Sequence, residues 1–443
     1  MGKKNRDDQE PPARKGKRGY VPFSFLGTSF DQTDTSVVKQ HALYLILAVV
    51  LAKLCIAFFT TVVFHSFVDL FDIGYYLEQG LLLTQGQIPY VNFDFAYPIL
   101  LLVPIVIALV PALIFNNGMA FVFTFQALMV LCDIVTVLCI YLICLKLWNE
   151  KTAFFAGLLY SAMFSAGYFV ITKYDSFPTA FLMLALVFTL YGHAVRAYAA
   201  SITGFFIKVF PGVALPFLIL YNAKKTGLKQ EIISAMKVGL PLFVVLFLPL
   251  FLLSPDTLKI YIPVRSELGY YSNTLTFTIY SWLHDALGLG ISIDIVSAGM
   301  YLFMGVGILA LLFSAWKLPQ QDAKLMLKLV LCAIVLVVIC AKVRSPQYIV
   351  WFTPLLCILA VDDIKKIAAL FVFQTLAYLE FPLMFGAYYT ALTYTDPVMS
   401  GGWMVTLVVF TLENLALLAC VWLVVDPPRI VSSLQKAMQA PAT

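Results

Sequence analysis

Twelve long apolar stretches recur along the chain, and they constrain its fold more than any other feature. Several of them reach the roughly 20 residues that a helix needs to cross a hydrocarbon core of about 30 Å, whereas the shorter ones need tilt, helix breaks or neighbouring helices. We therefore predict an all-α polytopic membrane protein with about 10–12 transmembrane helices. The stretches lie at about 42–64, 97–115, 119–145, 153–172, 176–192, 201–221, 232–253, 295–315, 325–341, 347–361, 366–385 and 402–425.

The composition agrees with this reading and excludes an ordinary soluble protein. Of 443 residues, 61% are hydrophobic and only 12% are charged. The net charge of +5 does not indicate nucleic-acid binding, because its most concentrated source is the polar amino-terminal segment MGKKNRDDQEPPARKGKRGY. We expect residues 1–40 to be a disordered, basic cytoplasmic tail. The eight cysteines lie in or beside apolar stretches without a CxxC pair, which predicts buried apolar residues rather than disulfides or metal ligands.

Basic clusters in the short loops predict the orientation, since lysine and arginine accumulate on the cytoplasmic side. Such clusters occur at 224–229, 317–328, 362–366 and in the terminal RIVSSLQK. Outer loops are then expected at 65–96, 254–290, 341–348 and 388–402. The chain divides into the tail 1–40, a transmembrane module at 41–253 that contains the loop 65–96, the outer loop 254–290, a second transmembrane module at 291–430 and a cytoplasmic tail at 431–443.

The amino-terminal half needs one further assumption to keep its basic loops inside. We expect that the stretch near 97–115 does not fully cross and that 204–216 forms a broken re-entrant helix, which is tolerated only inside protein or beside a cavity. Asp175 then joins the outer face. The basic residues that return to the cytoplasmic side are Lys146, Lys151 and Arg196.

The first predicted outer loop carries many acidic and aromatic side chains for so apolar a chain. Asp72 follows the first apolar stretch closely and is flanked by apolar and aromatic residues, including Tyr76. Such surroundings partly desolvate a carboxylate and raise its basicity, so that it can accept a proton from a hydroxyl group. Glu78 and Asp94 are the alternatives, and each acid could instead be a solvated loop residue. His65 is either an interfacial residue or a ligand.

Two further ionisable residues lie within or beside apolar stretches, where charge is costly and each charge is a functional candidate. Lys208 stands shortly before Pro211-Gly212, a break that would set its ammonium toward a cavity suited to an anion. Alternatively, its side chain snorkels to the interface. Asp175 lies before Pro178 at a predicted helix start, where a carboxylate also serves as a helix cap.

The later outer loops carry arginines. Arg265 and Glu267 are either a surface pair or part of a phosphate site, because the fork of an arginine donates two parallel hydrogen bonds to phosphate. Ser272, Asn273 and Thr274 add neutral polar groups to this segment. Lys342 and Arg344 contradict the charge bias of outer loops, which predicts an anionic partner.

A carboxylate and several cations at one membrane surface favour a reaction on a lipid phosphate. The motifs GxxxxGK, HExxH, CxxC and GxSxG are absent, so nucleotide hydrolysis, zinc chemistry and serine hydrolysis have no motif support. A transporter or flippase of a lipid-linked or anionic substrate is the alternative, and a scaffold subunit is the third. A transporter would instead concentrate its polar residues near the bilayer midplane on paired broken helices.

Four short motifs follow one another along residues 72–351. They are Asp72-Ile73-x-Tyr75-Tyr76 with Gly86-x-x-x-Tyr90 and Tyr97-Pro98, then Asp175-x-x-Pro178, then Lys208-Val209-Phe210-Pro211, and finally Ser345-Pro346-Gln347-Tyr348-x-x-Trp351. In this order they resemble the GT-C superfamily of membrane glycosyltransferases, in particular the polyprenyl-phosphate-mannose-dependent mannosyltransferases and the first GPI mannosyltransferase. The resemblance implies a GT-C-like fold with amphipathic helices in the first outer loop.

The resemblance also implies a reaction, in which a sugar, with mannose favoured over glucose, galactose or arabinofuranose, moves from a polyprenyl-phosphate carrier to a glycolipid or other acceptor. Asp72 would be the catalytic base, and the donor phosphate would be bound by Lys208, Arg265 and Arg344, with inversion at the anomeric carbon. The expected substrate-binding residues are His65, Tyr76, Asp94, Tyr97, Asp175, Glu267, Gln347 and Tyr348.

The expected surroundings follow from the same resemblance. The partners would be the polyprenyl-phosphate sugar, the acceptor and membrane lipids, without nucleic acid. No cofactor is expected, and a divalent metal bound by Asp72 with Asp175 or Asp94 is the less favoured alternative. The membrane would be the plasma membrane of a prokaryote or the endoplasmic reticulum, with the active site on the extracytoplasmic face.

Overall fold

The structure is a computed structural model that describes residues 20–261, 270–317, 322–389 and 403–439. Apart from one β-hairpin, the regular structure of these residues is helical, joined by short turns. In the amino-terminal half the α-helices are α1 (Thr35–Phe58), α2 (Phe71–Thr84), α3 (Leu102–Phe115), α4 (Gly118–Leu147), α5 (Glu150–Ser161), α6 (Phe164–Thr172), α7 (Ser176–Leu190), α8 (Ala194–Ile207) and α9 (Phe210–Thr226). They are followed by α10 (Leu228–Leu246), α11 (Leu248–Leu253), α12 (Leu275–Tyr280), α13 (Ile293–Lys317), α14 (Ala323–Cys340), α15 (Ile349–Ala360), α16 (Ile364–Tyr378), α17 (Trp403–Val425) and α18 (Pro427–Gln439).

Short segments of other helical geometry extend or connect these helices. Wider, π-helical turns continue α1, α12 and α16 over Phe59–Val63, Ser281–Ala286 and Leu379–Tyr389. Tighter 3₁₀ turns lie at His65–Phe67, Ile99–Leu101, Pro255–Tyr261 and Pro346–Tyr348.

Seven helices within the described residues are long and apolar enough to cross a membrane, so the chain is an all-α polytopic membrane protein. The bent pair α5 and α6, whose axes differ by 63°, would form an eighth span. The remaining apolar helices, Ile99–Phe115, Ser176–Leu190, Ala194–Ile207 and Pro346–Ala360, are shorter than a full crossing and account for the difference from the expected ten to twelve spans. The seven are Thr35–Val63, Gly118–Leu147, Leu228–Leu253, Ile293–Lys317, Ala323–Cys340, Ile364–Met384 and Met404–Val425.

A β-hairpin precedes the first span, in a segment that was expected to be disordered. Strands β1 (Pro22–Phe25) and β2 (Thr28–Asp34) pair antiparallel, and Gly27 in the turn has a φ of +77° that favours glycine. The ring of Phe25 packs 5.2 Å from that of Tyr191. Asp34 then caps α1 by accepting the N–H of Ser36 at 2.8 Å. The predicted disordered tail over 1–40 is therefore wrong for residues 21–40, while residues 1–19 lie outside the described residues.

Two apolar cores hold the helices together. The larger core joins α1, the second half of α4, α5–α9 and α14–α17. Its centre is α15, in which all 12 residues are buried. The smaller core joins α2, α3 and the first half of α4, and it also takes in Tyr174 and Ile207.

The helix α3 belongs to the smaller core only. Its buried residues include Ile105, Ala108, Leu109 and Ala112, and all four lie in that core. Ile99–Phe115 is also shorter than the helices that are long enough to span a membrane, and the expectation that it does not fully cross stays a prediction.

The helices α8 and α9 fold back on each other at a break that contains Lys208. Ser201 donates to the carbonyl oxygen of Pro211 at 2.8 Å, and Gly204 allows Pro211 to approach closely. Lys208 itself has extended backbone angles, and α9 begins two residues later. The expected helix break is present, although it lies at Lys208-Val209 rather than at Pro211-Gly212.

Candidate active site

A buried lysine joins two of the four acids of the first loop, Asp69 and Asp72. The ammonium of Lys173 lies 2.7 Å from Oδ2 of Asp69 and 3.1 Å from Oδ2 of Asp72. Asp72 stands in the first turn of α2, Asp69 precedes that helix, and Lys173 directly follows α6. Burial disfavours the charged ammonium, but the carboxylates of Asp72 and Asp69 outweigh this effect and raise the pKa of Lys173. The three side chains form a charged cluster at one end of the helix bundle.

A second ion pair lies beside the first. Asp175 is fully buried at the start of α7, and its Oδ1 accepts hydrogen bonds from Lys208 Nζ at 2.6 Å and from Trp351 Nε1 at 2.5 Å. Its other oxygen, Oδ2, has no hydrogen-bond partner among the described residues. The break between α8 and α9 therefore allows the side chain of Lys208 to reach Asp175.

Aromatic rings surround the ammonium of Lys208. Its Nζ lies 4.4 Å from the ring centre of Tyr174 and 5.1 Å from those of Tyr348 and Trp351. Trp351 stacks on Tyr348 at 3.8 Å and on Phe210 at 4.2 Å. Rings at such distances attract a cation through their negative faces, so they stabilise a lysine that water reaches only partly.

Three tyrosines connect the two charged clusters. The ring centres of Tyr76, Tyr97 and Tyr174 lie 5.3 to 5.8 Å apart, in edge-to-face contacts. The hydroxyl of Tyr76 donates to Asp72 Oδ2 at 3.5 Å. Burial raises the pKa of Tyr76 and of Tyr97, so both phenols remain neutral donors near neutral pH. The first loop and the turn between α6 and α7 thus form one continuous site.

The structure places Arg344 in a different cluster. Its guanidinium pairs with the carboxylate of Glu413 in α17 and donates to Asn414 Oδ1 at 2.7 Å and to the carbonyl oxygen of Asn273 at 3.4 Å. The anionic partner predicted for this arginine is therefore a glutamate of the protein. No described hydrogen bond or ion pair joins Arg344 to Asp72.

The other predicted residues lie outside the two clusters. His65 contacts the carbonyl oxygen of Thr61 in the preceding π-helical turn, Asp94 is exposed and Gln347 is half-buried. The described hydrogen bonds do not connect these three side chains to Asp72 or Lys208. Arg265 and Glu267 fall outside the described residues.

Several important residues escaped the sequence analysis. Lys173 and Tyr174 stand next to Asp175 in the sequence, but nothing in that stretch indicates contact with the first loop. Glu413 was a detectable omission, because a glutamate inside an apolar stretch is costly and requires a partner. The same signal marks Lys53 and Asp133, which form a buried ion pair at 3.0 Å between α1 and α4.

The described part of the chain contains no group of three or more histidine, cysteine, aspartate or glutamate side chains arranged to hold a metal ion. Metal binding by Asp72 together with Asp175 or Asp94 remains an alternative from the sequence alone.

No protein-family model matches the chain. No curated protein matches its sequence. Among solved structures, the oligosaccharyltransferase of Archaeoglobus fulgidus is similar in its apo form, with 12% identity, a TM-score of 0.41, and coverage of 90% of this chain and 56% of that chain. The same enzyme in complex with zinc and sulfate is similar with 12% identity, a TM-score of 0.41, and coverage of 83% and 53%.

The present chain thus spans about half the length of that enzyme. At this identity and TM-score the similarity carries no conclusion about the chemistry of the present chain.

Proposed function

We propose that the protein is an integral-membrane glycosyltransferase that moves a sugar, with mannose favoured, from a polyprenyl-phosphate carrier to an acceptor hydroxyl. One observation supports this proposal above all others. Asp72, Asp175 and Lys208 come from distant parts of the sequence, yet they meet with Lys173 in one tyrosine-lined site. The motif order along the sequence also points to Asp72, Asp175 and Lys208.

The arrangement suits an inverting transfer. Asp72 takes the proton of the acceptor hydroxyl, the acceptor oxygen forms a bond to the anomeric carbon, and the bond from that carbon to the phosphate oxygen breaks with its electron pair leaving on the phosphate. Side chains of Asp72 and Lys208 retain 18% and 14% of their exposure, so both are reachable by a substrate. Because Oδ2 of Asp72 already receives Lys173 and Tyr76, its Oδ1 is the oxygen that would accept the proton.

The cations supply the other half of the chemistry. Lys208 would stabilise the negative charge that develops on the departing phosphate, in a site where buried rings exclude water and strengthen electrostatic interactions. Arg265 stays a candidate for the same role. Arg344 would have to exchange Glu413 for the phosphate, which counts against this role.

The orientation of the molecule would put this site on the extracytoplasmic face. Lysines collect at the end of the bundle where α1 begins, where Lys146 lies 5.3 Å from the Tyr191 ring and Lys324 lies 4.0 Å from the Trp148 ring. That end would be cytoplasmic by the charge bias, and α1 leads from it to Asp72. The plasma membrane of a prokaryote or the endoplasmic reticulum would both suit this topology.

The test is an assay of sugar transfer in membranes supplied with polyprenyl-phosphate-mannose and, in parallel, the corresponding glucose, galactose and arabinofuranose donors. Asp72→Asn should lower the rate by about 10²- to 10⁴-fold, since a positioned general base contributes that much. Asp362→Asn is the matched control, because Asp362 forms an exposed ion pair with Lys366 on another loop, and it should keep full activity. Full activity of Asp72→Asn would remove that residue from the role, and no transfer from any donor by the unchanged protein would overturn the proposal.

A further inference from the structure

Lys173 lies between two carboxylates at the edge of the membrane bundle. Its side chain is only 8% exposed, and the two carboxylates that face it are each 18% exposed. Asp69 is held in turn by the backbone, because its Oδ1 accepts the N–H of Phe71 at 3.1 Å. The ammonium of Lys173 is therefore held by Asp72 and by Asp69, and the backbone in turn fixes the position of Asp69.

Two nearby carboxylates that share one cation are the arrangement that proteins use for divalent metal ions, which prefer carboxylate oxygens. Without a cation between them, Asp69 and Asp72 would repel each other. Across both clusters the formal charge is −1, from three carboxylates (Asp69, Asp72 and Asp175) and two ammonium groups (Lys173 and Lys208). Lys173 therefore supplies charge that the site would otherwise have to obtain from an ion.

We infer that Lys173 is the resident cation of this site. Its ammonium occupies the place between Asp69 and Asp72 that a divalent ion would take, and it acts as a positioning residue that holds Asp72 toward the acceptor hydroxyl. Its role in the reaction rests on the proposed glycosyltransferase function, whereas its role as a substitute for a metal ion does not. Wild-type activity is accordingly independent of added metal.

The ammonium also has a donor to spare. A lysine carries three N–H donors, and the described residues accept two of them, through Asp69 and Asp72. Arginine could keep the charge but not the compact geometry, because its guanidinium is planar and larger.

The experiment removes the resident cation and offers a metal ion in its place. Lys173→Ala should lower transfer by about 10- to 100-fold, the usual cost of losing a residue that supports a site, and millimolar Mn²⁺ should restore most of the loss. Electron paramagnetic resonance should detect one Mn²⁺ bound per Lys173→Ala molecule. The unchanged protein and the double variant Lys173→Ala/Asp69→Asn should bind none.

The matched control is Lys366→Ala, which breaks the exposed 2.9 Å pair with Asp362 and should change neither activity nor Mn²⁺ binding. Folding of each variant is checked by thermal unfolding in detergent. Failure of Lys173→Ala to bind Mn²⁺, or loss of wild-type activity in chelator, would overturn the inference. If the unchanged protein transfers no sugar but Lys173→Ala binds Mn²⁺ as stated, the proposed function is wrong. The inference that Lys173 takes the place of a metal ion is then still supported.

Discussion

At the scale of single residues, Asp175 shows how a fully buried charge is kept in a membrane protein. An isolated carboxylate there would be very costly, but an ammonium and an indole N–H both reach its Oδ1. The rings of Tyr174, Tyr348 and Trp351 in turn surround the ammonium of Lys208. Each charge therefore has both an opposite charge and neutral polar or aromatic partners, which a pair of charges alone would lack.

Trp351→Phe tests the hydrogen bond from the indole N–H of Trp351 to Asp175 separately from the stacking of the aromatic ring. Phenylalanine keeps an aromatic face for Phe210 and Tyr348 but lacks the N–H donor, so we expect a loss of about 1–3 kcal/mol in the free energy of unfolding, the range for a lost bond to a buried charged group. Thermal unfolding in detergent measures it. The control is Trp422→Phe, since Trp422 is 59% exposed, and it should unfold like the unchanged protein. Equal stability of both variants would mean that the indole N–H contributes nothing.

The sequence identified individual site residues better than it identified their partners. Asp72, Asp175 and Lys208 could be found because each is a costly charge near an apolar stretch. Their contacts could not, because the pairing of Lys173 with the first loop depends on how α6 packs beside α1, which no local pattern records. Arg344 illustrates the same point, since its partner Glu413 lies in a different span.

At the scale of helices and strands, the apolar stretches predicted most helices, while the breaks were harder to locate. The stretch 201–221 became two helices that meet at Lys208, because proline is favoured in the first turn of a helix and so starts α9 instead of interrupting it. The β-hairpin before α1 was missed because residues 20–34 lie between the polar tail and the first apolar stretch, although they carry four aromatic side chains and no lysine or arginine. Such a short hairpin persists by packing on other parts, here through Phe25 on Tyr191.

Gly204→Ala tests whether the close contact of α8 with α9 positions Lys208. The added Cβ would lie 2.7 Å from Pro211 Cβ, which is rigid and cannot move aside, so the two helices must separate. We expect a loss of about 1–3 kcal/mol in the free energy of unfolding, as for other overpacked sites, and a lower transfer rate because Lys208 moves away from Asp175. Thermal unfolding and the transfer assay measure the two effects.

Gly299→Ala provides the matched control for that change. Gly299 is also a helical glycine, in α13, but an added Cβ would meet no atom within 4 Å. Alanine is the better helix former, so this variant should be as stable as the unchanged protein or slightly more stable. Similar behaviour of the two glycine variants would show that α8 and α9 tolerate being separated and that the position of Lys208 does not depend on their close contact.

At the scale of the whole molecule, lysines that bond to backbone carbonyl groups lie at one end of the bundle, and the site around Asp72 lies at the other end. Lys224 donates to the carbonyl oxygen of Trp316 at 2.5 Å and Lys328 to that of Val425 at 2.8 Å, at helix ends far from Asp72 along their spans. The acidic site lies where α1 ends. The pairing of Lys173 with Asp72 places Asp175 and the first loop at the same end of the bundle. The face of the membrane on which that end lies stays a prediction from the charge bias.

Cysteine labelling in sealed cells tests which end faces the cytoplasm. In a background in which the exposed Cys55 is replaced by alanine, Glu78→Cys lies on the exposed side of α2, whereas Lys151→Cys and Lys225→Cys are exposed near the opposite end. A membrane-impermeant maleimide should label Glu78→Cys in intact cells, and it should label the two lysine positions only after permeabilisation, because lysine-rich loops are retained in the cytoplasm. Labelling of Lys151→Cys from outside would overturn the arrangement of the amino-terminal half. Labelling of Glu78→Cys only from the cytoplasm would move the whole site to the other face, where an extracytoplasmic acceptor could not reach Asp72.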